Sequence, residues 1–416
     1  MSESSQPSQS RKKIIIIIGL RSFFEFQNKI LLRIIFFNTT NDPLSATTAT
    51  TIATMPAQTN HHYRSLVGSI SFLVTIALGF AIVVSIMVPN HQQSASALSS
   101  QQPLYPNRKI ALVTGSNKGI GYEIAKKLLS HENGDAFVCI LGCRNQGLGR
   151  TSADKLVSET KNSCVDVVKI DLMDHDSITK AVEYIQATYG RCDVLINNAA
   201  VCYNDPTLYG AVSHTPFAQQ AETTIATNFF GTLALTRAML PLLLHQSGAE
   251  DSNLTSTTPR IINIASSAGR LSIIPSNEKK KALSSESLTV EDLETLMKDF
   301  VQAAKDGKHS SEGWPNTGYG VSKVGIIAMT KILARHYFGK KSDSDDGDST
   351  TTSVRRMMVN SVDPGYCATD QNNNQGVIPA ELGAVTPYLL ATLNDDGDSN
   401  NGFTGKHWYQ EREIEW

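Results

Sequence analysis

The stretch TGSNKGIG, residues 114–121, follows the apolar run KIALV and leads into YEIAKKLLSH, where apolar residues recur at helical spacing. A glycine-rich turn between a buried-type strand and a helix marks a ligand-binding βα unit. Gly115 permits the tight turn out of the strand, Gly119 lets backbone come close to a pyrophosphate, and Gly121 lets the helix lie close to the sheet. Asn117, Lys118 and Ile120 complete the cofactor turn, and the helix start behind it offers unpaired N–H groups to an anion.

The same alternation runs on toward the C-terminus. The runs AFVCILG (136–142), VDVVKID (165–171), DVLINNA (193–199), RIINIAS (260–266) and MMVNSVD (357–363) have buried-strand character. Segments with helical spacing, such as DSITKAVEYIQATYG (176–190), separate them. Repeated strand and helix predict parallel βαβ units, hence an α/β fold with a Rossmann-type doubly wound parallel sheet. Its ligands sit beyond the carboxyl ends of the strands.

A dinucleotide site is tuned at the end of its second strand, where a carboxylate receives a ribose 2′-hydroxyl and an arginine a 2′-phosphate. That end reads LGCRN (141–145): Arg144 stands there without a carboxylate, and Lys118 adds a second positive charge at the same corner. NADP is therefore expected rather than NAD. The formal charge of −2, with no basic excess in the folded part, argues against a nucleic-acid partner. Cys139, Cys143, Cys164, Cys192, Cys202 and Cys367 match neither a zinc site nor a disulfide framework, so reduced thiols and no metal are expected.

In GWPNTGYGVSK (313–323) Tyr319 precedes Lys323 by four positions where a loop becomes a helix, which puts phenol and ammonium on one helix face. TGSNKGIG, INNAA, TNFFGT, INIASSAG, YGVSK and DPG, in this order, resemble the short-chain dehydrogenase/reductase superfamily. Segment 288–323 and the ending EREIEW are similar to its monomeric NADPH-dependent carbonyl reductases, and the similarity spans about residues 109–416. Ala200 departs from the family, which usually has glycine after Asn-Asn-Ala.

The resemblance implies that Tyr319 gives a proton to a carbonyl that receives hydride from NADPH, while Lys323 stabilises the phenolate and bonds the nicotinamide ribose. A free phenol has a pKa near ~10, and a neighbouring ammonium favours its ionised form. Ser266, rather than Ser267, would polarise the carbonyl oxygen, and Asn228 would hold a water that relays protons to the lysine. Asparagine is a poor helix former, so its place in an expected long helix invites a specific role. By the same resemblance Asp171 bonds the adenine, Asn197 contacts the cofactor near the ribose, and Pro364, Gly365 and Thr369 reach the nicotinamide or pyrophosphate.

Ser266 and Tyr319 stand 53 residues apart (319 − 266), more than in ordinary members. The extra segment contains SLTVEDLETLMKDFVQAAKDG (287–307), where Ser and Thr before acidic residues predict a capped helix with Leu288, Leu293, Leu296, Phe300 and Val301 as its apolar stripe. Monomeric carbonyl reductases carry a comparable helical insertion before the catalytic tyrosine, which implies a monomeric catalytic domain. Polar stretches 246–259 and 340–352 read as surface loops. Reduction of an aldehyde, ketone or quinone by NADPH is the expected function; the alternative is a membrane-tethered NADP-binding redox sensor or scaffold without turnover. An epimerase of the extended branch is disfavoured, because only 93 residues (416 − 323) follow Lys323.

The first hundred residues have another character. Residues 1–64 are low-complexity and suit a disordered or targeting segment. Residues 65–88 carry no charge, and at ~1.5 Å per residue they would span a bilayer core of ~30 Å as a transmembrane helix or signal anchor. Residues 89–107 form a linker, and 108–416 the catalytic domain. The rival is signal cleavage at Ala95-Ser96-Ala97, with Met55 as an alternative start. Arg11, Lys12, Lys13, Arg21, Lys29, Arg33 and Arg64 precede the apolar stretch, so the positive-inside rule places the catalytic domain in the endoplasmic reticulum or another endomembrane lumen. Reduced cysteines and NADPH pull toward the cytosol, and the sequon Asn253-Leu254-Thr255 offers a test of side.

Overall fold

The computed structural model describes residues 105, 107–131, 136–203, 215–245, 258–338, 357–393 and 403–416. The apolar stretch 65–88, most of the linker, the sequon at Asn253 and the polar segment 340–352 lie outside the described residues. Among the described residues, no helix is long and apolar enough to cross a membrane.

The chain builds β1 (Lys109–Thr114), α1 (Gly119–Leu129), β2 (Phe137–Cys143), α2 (Gln146–Thr160), β3 (Val165–Lys169), α3 (His175–Tyr189) and β4 (Val194–Asn197) in strict alternation. Then follow α4 (Phe217–Ile225), a π-helical turn (Ala226–Gly231), α5 (Thr232–Leu243) and β5 (Arg260–Ile264). After these come α6 (Asn277–Leu283), α7 (Val290–Lys305), α8 (Gly318–Phe338), β6 (Met358–Asp363) and the short pair β7 (Cys367–Ala368) and β8 (Ile378–Pro379). Two short helices, α9 (Ala380–Gly383) and α10 (Val385–Thr392), precede β9 (His407–Tyr409) and β10 (Arg412–Ile414).

The main sheet has the order β10-β9-β6-β5-β4-β1-β2-β3. Strands β1 to β6 and β9 are parallel, and β10 alone runs antiparallel. The parallel doubly wound expectation is met, with one antiparallel edge strand in addition. Period-two alternation divides β1 between the two faces: Ile110 and Leu112 join the core with Phe229 and Met329, while Ala111 and Val113 join Ile124 and Leu128 on the other side. The chain reverses direction between β1 and β4, so a crevice opens above their carboxyl ends.

The helical insertion is α7 and its flanks. Thr289 accepts a bond from the Asp292 amide while the Asp292 carboxylate accepts one from the Thr289 amide, a reciprocal cap. Its buried face is Leu293, Met297, Phe300 and Ala304, at i, i+4, i+7 and i+11. Leu288 precedes the cap, and Leu296 and Val301 are only partly buried, so the expected stripe was rotated by part of a turn. This face packs on α4 and α8, with Trp314 edge-to-face on Phe300 at 5.4 Å.

Candidate active site

The glycine turn is fixed by contacts that admit no side chain. Gly115 has φ +64°, and a Cβ there would lie 2.9 Å from the Ala199 Cα. A Cβ on Gly121 would lie 2.5 Å from the Asn198 Nδ2 and 2.6 Å from the Gly115 carbonyl oxygen. Asn198 holds the crevice together by donating to the Thr114 carbonyl (2.9 Å) and the Gly115 carbonyl (3.3 Å). Asn117 accepts at its carbonyl from Ser152 (2.7 Å), which ties the turn to α2. Lys118 is the N-cap of α1 and makes no side-chain cap, so the first-turn amides face the crevice free of one. Thr369 sits over Gly119, where a Cβ would lie 3.3 Å from its methyl group. Close backbone, a helix start and a threonine opposite fit the pyrophosphate of a dinucleotide.

The two cations of the outer corner have different surroundings. Arg144 is exposed at the end of β2, as required of a 2′-phosphate ligand. Lys118 pairs with Asp370 at 2.7 Å. Asp171 lies just past β3, its carboxylate held by the Met173 amide at 3.0 Å. The Asn197 side chain is turned into the core: its Nδ2 donates to Thr236 (3.1 Å) and Asn263 (2.8 Å). Its neighbour Asn198 is the side chain that borders the glycine turn. Pro364 and Gly365, with Gly365 at φ +82°, form the bend that leads to Thr369.

At the inner end, the loop after β5 and the start of α8 bring Ser266, Tyr319 and Lys323 together. The Ser266 hydroxyl accepts from the Ala268 amide at 3.2 Å and opposes the rise in the Tyr319 pKa, while the Asp363 carboxylate accepts from the Gly365 amide at 3.0 Å. Lys323 is 3% exposed, and its ammonium donates to the Ile264 carbonyl at 2.7 Å while lying 5.5 Å from the centre of the Tyr319 ring. Burial pulls Lys323 down to about 8. The sequence suggested a phenol made more acidic; instead burial raises the Tyr319 pKa, and Ser266 only partly opposes it. The phenol therefore keeps its proton.

Asn228 lies in the π-helical turn, one irregular turn in the long helical stretch expected of it. Its Oδ1 accepts from the Val201 amide (2.8 Å), and its Nδ2 donates to the Val201 carbonyl (2.9 Å) and to Ser322 (3.1 Å). Both side-chain hydrogens are engaged, so the side chain clamps the β4 loop and has no donor left for a water. Beyond Tyr319 opens a cavity of about 530 Å³ bordered by Cys202, Tyr203, Phe217, Gln220 and Asn316. Phe217 packs at a tilt on the His309 ring, centroids 4.5 Å apart, and the His309 Nε2 lies 3.2 Å from the Asn316 Oδ1, so the insertion supports this wall.

Cys202 and Asp363 belong to the site but were not expected there. Cys202 had no distinguishing signal, and the Asp-Pro-Gly motif drew attention to its last two residues only. All six cysteines are unpaired, five of them buried and Cys202 partly so. Among the described residues, no cluster of three or more potential ligands could hold a metal ion.

An eight-stranded doubly wound sheet with a glycine turn at its switch point and a Ser-Tyr-Lys group beside it defines a short-chain dehydrogenase. The family model described as short chain dehydrogenase matches residues 109–276. The chain is 33% identical over 308 residues to bovine (Bos taurus) carbonyl reductase [NADPH] 1, covering 74% of this chain and 98% of the bovine one. Against mouse (Mus musculus) carbonyl reductase [NADPH] 3 it is 34% identical over 297 residues, 71% of this chain and 94% of the mouse one. Salutaridine reductase from Papaver somniferum superposes with a TM-score of 0.57 at 25% identity, over 72% of this chain and 99% of that one. The chain belongs to the short-chain dehydrogenase family and is an NADP-dependent oxidoreductase that resembles carbonyl reductases.

Proposed function

We propose that this protein reduces a neutral aldehyde, ketone or quinone, with Tyr319 as the proton donor. The observation that carries this reading is the convergence of Ser266, Tyr319 and Lys323 at the mouth of the cavity. NADPH, when bound, supplies the hydride. The Ser266 hydroxyl orients the substrate oxygen, and the phenol, kept protonated by burial, gives it a proton. Lys323 then offers the buried positive charge that a phenolate requires. Asn228 holds Val201 and hence the cavity wall at Cys202. Among the described residues, none that lines the cavity carries a formal charge, which favours a neutral substrate. Lys118 and Arg144 would meet the 2′-phosphate, Lys118 by exchanging Asp370 for it.

NADPH consumption with a panel of carbonyls, run with NADH in parallel, tests the reading. Turnover with NADPH is expected, and no turnover with any aldehyde, ketone or quinone would defeat it. A catalytically silent NADP sensor finds no support in the similarities to carbonyl reductases. A monomeric catalytic domain is proposed because α7 covers α4 and α8, and light scattering of residues 105–416 checks it. Membrane attachment through residues 65–88, with the catalytic domain in a lumen, rests on the uncharged stretch and the basic residues before it. Carbonate extraction of membranes checks the attachment, and glycosidase treatment of the pellet checks the side.

A further inference from the structure

We infer that Asn316 and Thr224 are specificity-determining residues, which select a carbonyl substrate carrying a second, acceptor oxygen. The inference rests on the carbonyl-reducing reading given above. Both residues border the cavity beside Tyr319. Thr224 belongs to the stripe Phe217, Gln220 and Thr224 along α4, at i, i+3 and i+7, and all three border the cavity. The loop that carries Asn316 lies close on this helix, because a Cβ on Gly318 would stand 3.0 Å from the Ala221 Cα. One wall of the cavity is therefore made by two elements at backbone contact, and its polar groups have fixed places.

The hydrogen bonds decide which of these groups remain for a ligand. Gln220 donates through its Nε2 to the Thr215 carbonyl at 2.7 Å, and the Thr317 hydroxyl accepts from the Gly320 amide at 3.0 Å. Asn316 meets the His309 Nε2 with its Oδ1 at 3.2 Å. The His309 Nδ1 is buried and has no hydrogen-bond partner among the described residues. A proton placed there would be left unmet, so the ring carries it on Nε2 and donates it to Asn316. The Asn316 oxygen is thereby engaged. Its amide hydrogens bond nothing among the described residues and are left to the cavity that the residue borders. Thr224 is 1% exposed, and its hydroxyl likewise bonds nothing among the described residues. A hydroxyl at that depth is costly unless a ligand meets it. Both free groups can donate, so they fit an oxygen that accepts, whether of an ether, an ester or a further carbonyl. A hydrocarbon tail would leave both unmet, and a site with unmet polar groups discriminates against it.

Matched ketones in which a ring methylene is replaced by oxygen test the assignment: tetrahydropyranone against cyclohexanone, and chromanone against tetralone. The parent is expected to prefer the ether member of at least one pair by about tenfold in kcat/KM, the worth of one neutral hydrogen bond. Asn316→Leu and Thr224→Val keep the bulk and remove the donors. Each is expected to lower that preference, and the double variant to abolish it. Comparing the ratio between parent and variant cancels the intrinsic reactivity of the two ketones. His309→Phe keeps a ring against Phe217 but removes the Nε2 donor, and is expected to lower the preference less than Asn316→Leu. NADPH fluorescence titration within a few-fold of the parent shows that each variant is folded. If the parent reduces no ketone, the functional reading fails, while binding of the same pairs to the NADP-loaded protein, followed by ligand NMR, still tests the assignment. A preference that one variant leaves unmoved removes that residue from the role, and no preference in any pair overturns the proposal.

Discussion

Lys323 and Lys118 stand at the two ends of one cleft and show two uses of the same side chain. Lys323 is 3% exposed, bonded to a backbone carbonyl and packed against a phenol ring. The Lys118 side chain is 62% exposed and shares an ion pair with an equally exposed Asp370. In dry surroundings a charge is little screened and can reset the protonation of its neighbours. In water the same charge is screened within about 8–10 Å and steers a ligand weakly. The inner end of the cleft is thus built for proton chemistry, and the outer end for choosing an anion.

Substitutions should separate the two ends. The largest effect is expected for Tyr319→Phe: a loss of at least ~10²-fold in turnover with NADPH affinity within a few-fold of the parent, since general acid catalysis has that magnitude. Steady-state kinetics beside a fluorescence titration measures both, and retention of a tenth of the rate would remove the phenol from its role.

The pH profile tests the buried lysine itself. Its folded-state pKa is depressed to about 8, so the ammonium is present below that pH and lost above it. The kcat/KM for reduction is accordingly expected to fall as pH rises through about 8. Lys323→Met should be slow at every pH and show no such limb. A parent profile flat from pH ~7 to ~10 would contradict the assignment.

Arg144→Asp should act at the outer end alone. One charge-assisted bond to a phosphate contributes about 1.5–3 kcal/mol, so the NADPH over NADH preference should fall by one to two decades while the better cofactor still supports turnover. The smallest effect is expected for Asp370→Asn, which frees Lys118: at most a few-fold change in NADPH affinity, vanishing at high salt, because exposed ion pairs are weak. A large salt-resistant effect there would mean that the outer corner is as dry as the inner one.

The cofactor end was the more legible in sequence because its geometry is local. Gly115, Gly119 and Gly121 sit within one turn, and each is required by a contact that any side chain would disturb. The inner end depends on residues brought together from far apart. Tyr319 and Lys323 could be paired from helical spacing, whereas the bond from Lys323 to the Ile264 carbonyl joins α8 to the end of β5 and leaves no local pattern. Asn197 and Asn198 were open to confusion for the same reason. Adjacent residues at a strand end point to opposite sides, and register decides which meets the crevice.

The fold shows the same division. Strand and helix alternation was readable, but the hairpin from β9 to β10 was not. Its turn residues Gln410 and Glu411 both have positive φ, 47° and 61°, a conformation that a sequence normally announces with Asn or Gly. The stripe of α7 missed Met297, the unbranched residue that completes the buried face between Leu293 and Phe300.

The π-helical turn at Ala226–Gly231 makes the wall of the cleft a matter of residue count. A π turn holds one residue more than an α-helix needs, so deleting one there would join α4 and α5 into a single regular rod. The rod would be sturdier in isolation, but residues on one side of the deletion would swing by about 100° relative to the other. Asn228 cannot then keep Val201 on one flank and Ser322 on the other. Engineering that rewards helical regularity would erase the irregularity on which the pocket's shape depends, and a higher melting temperature would come with a displaced substrate loop.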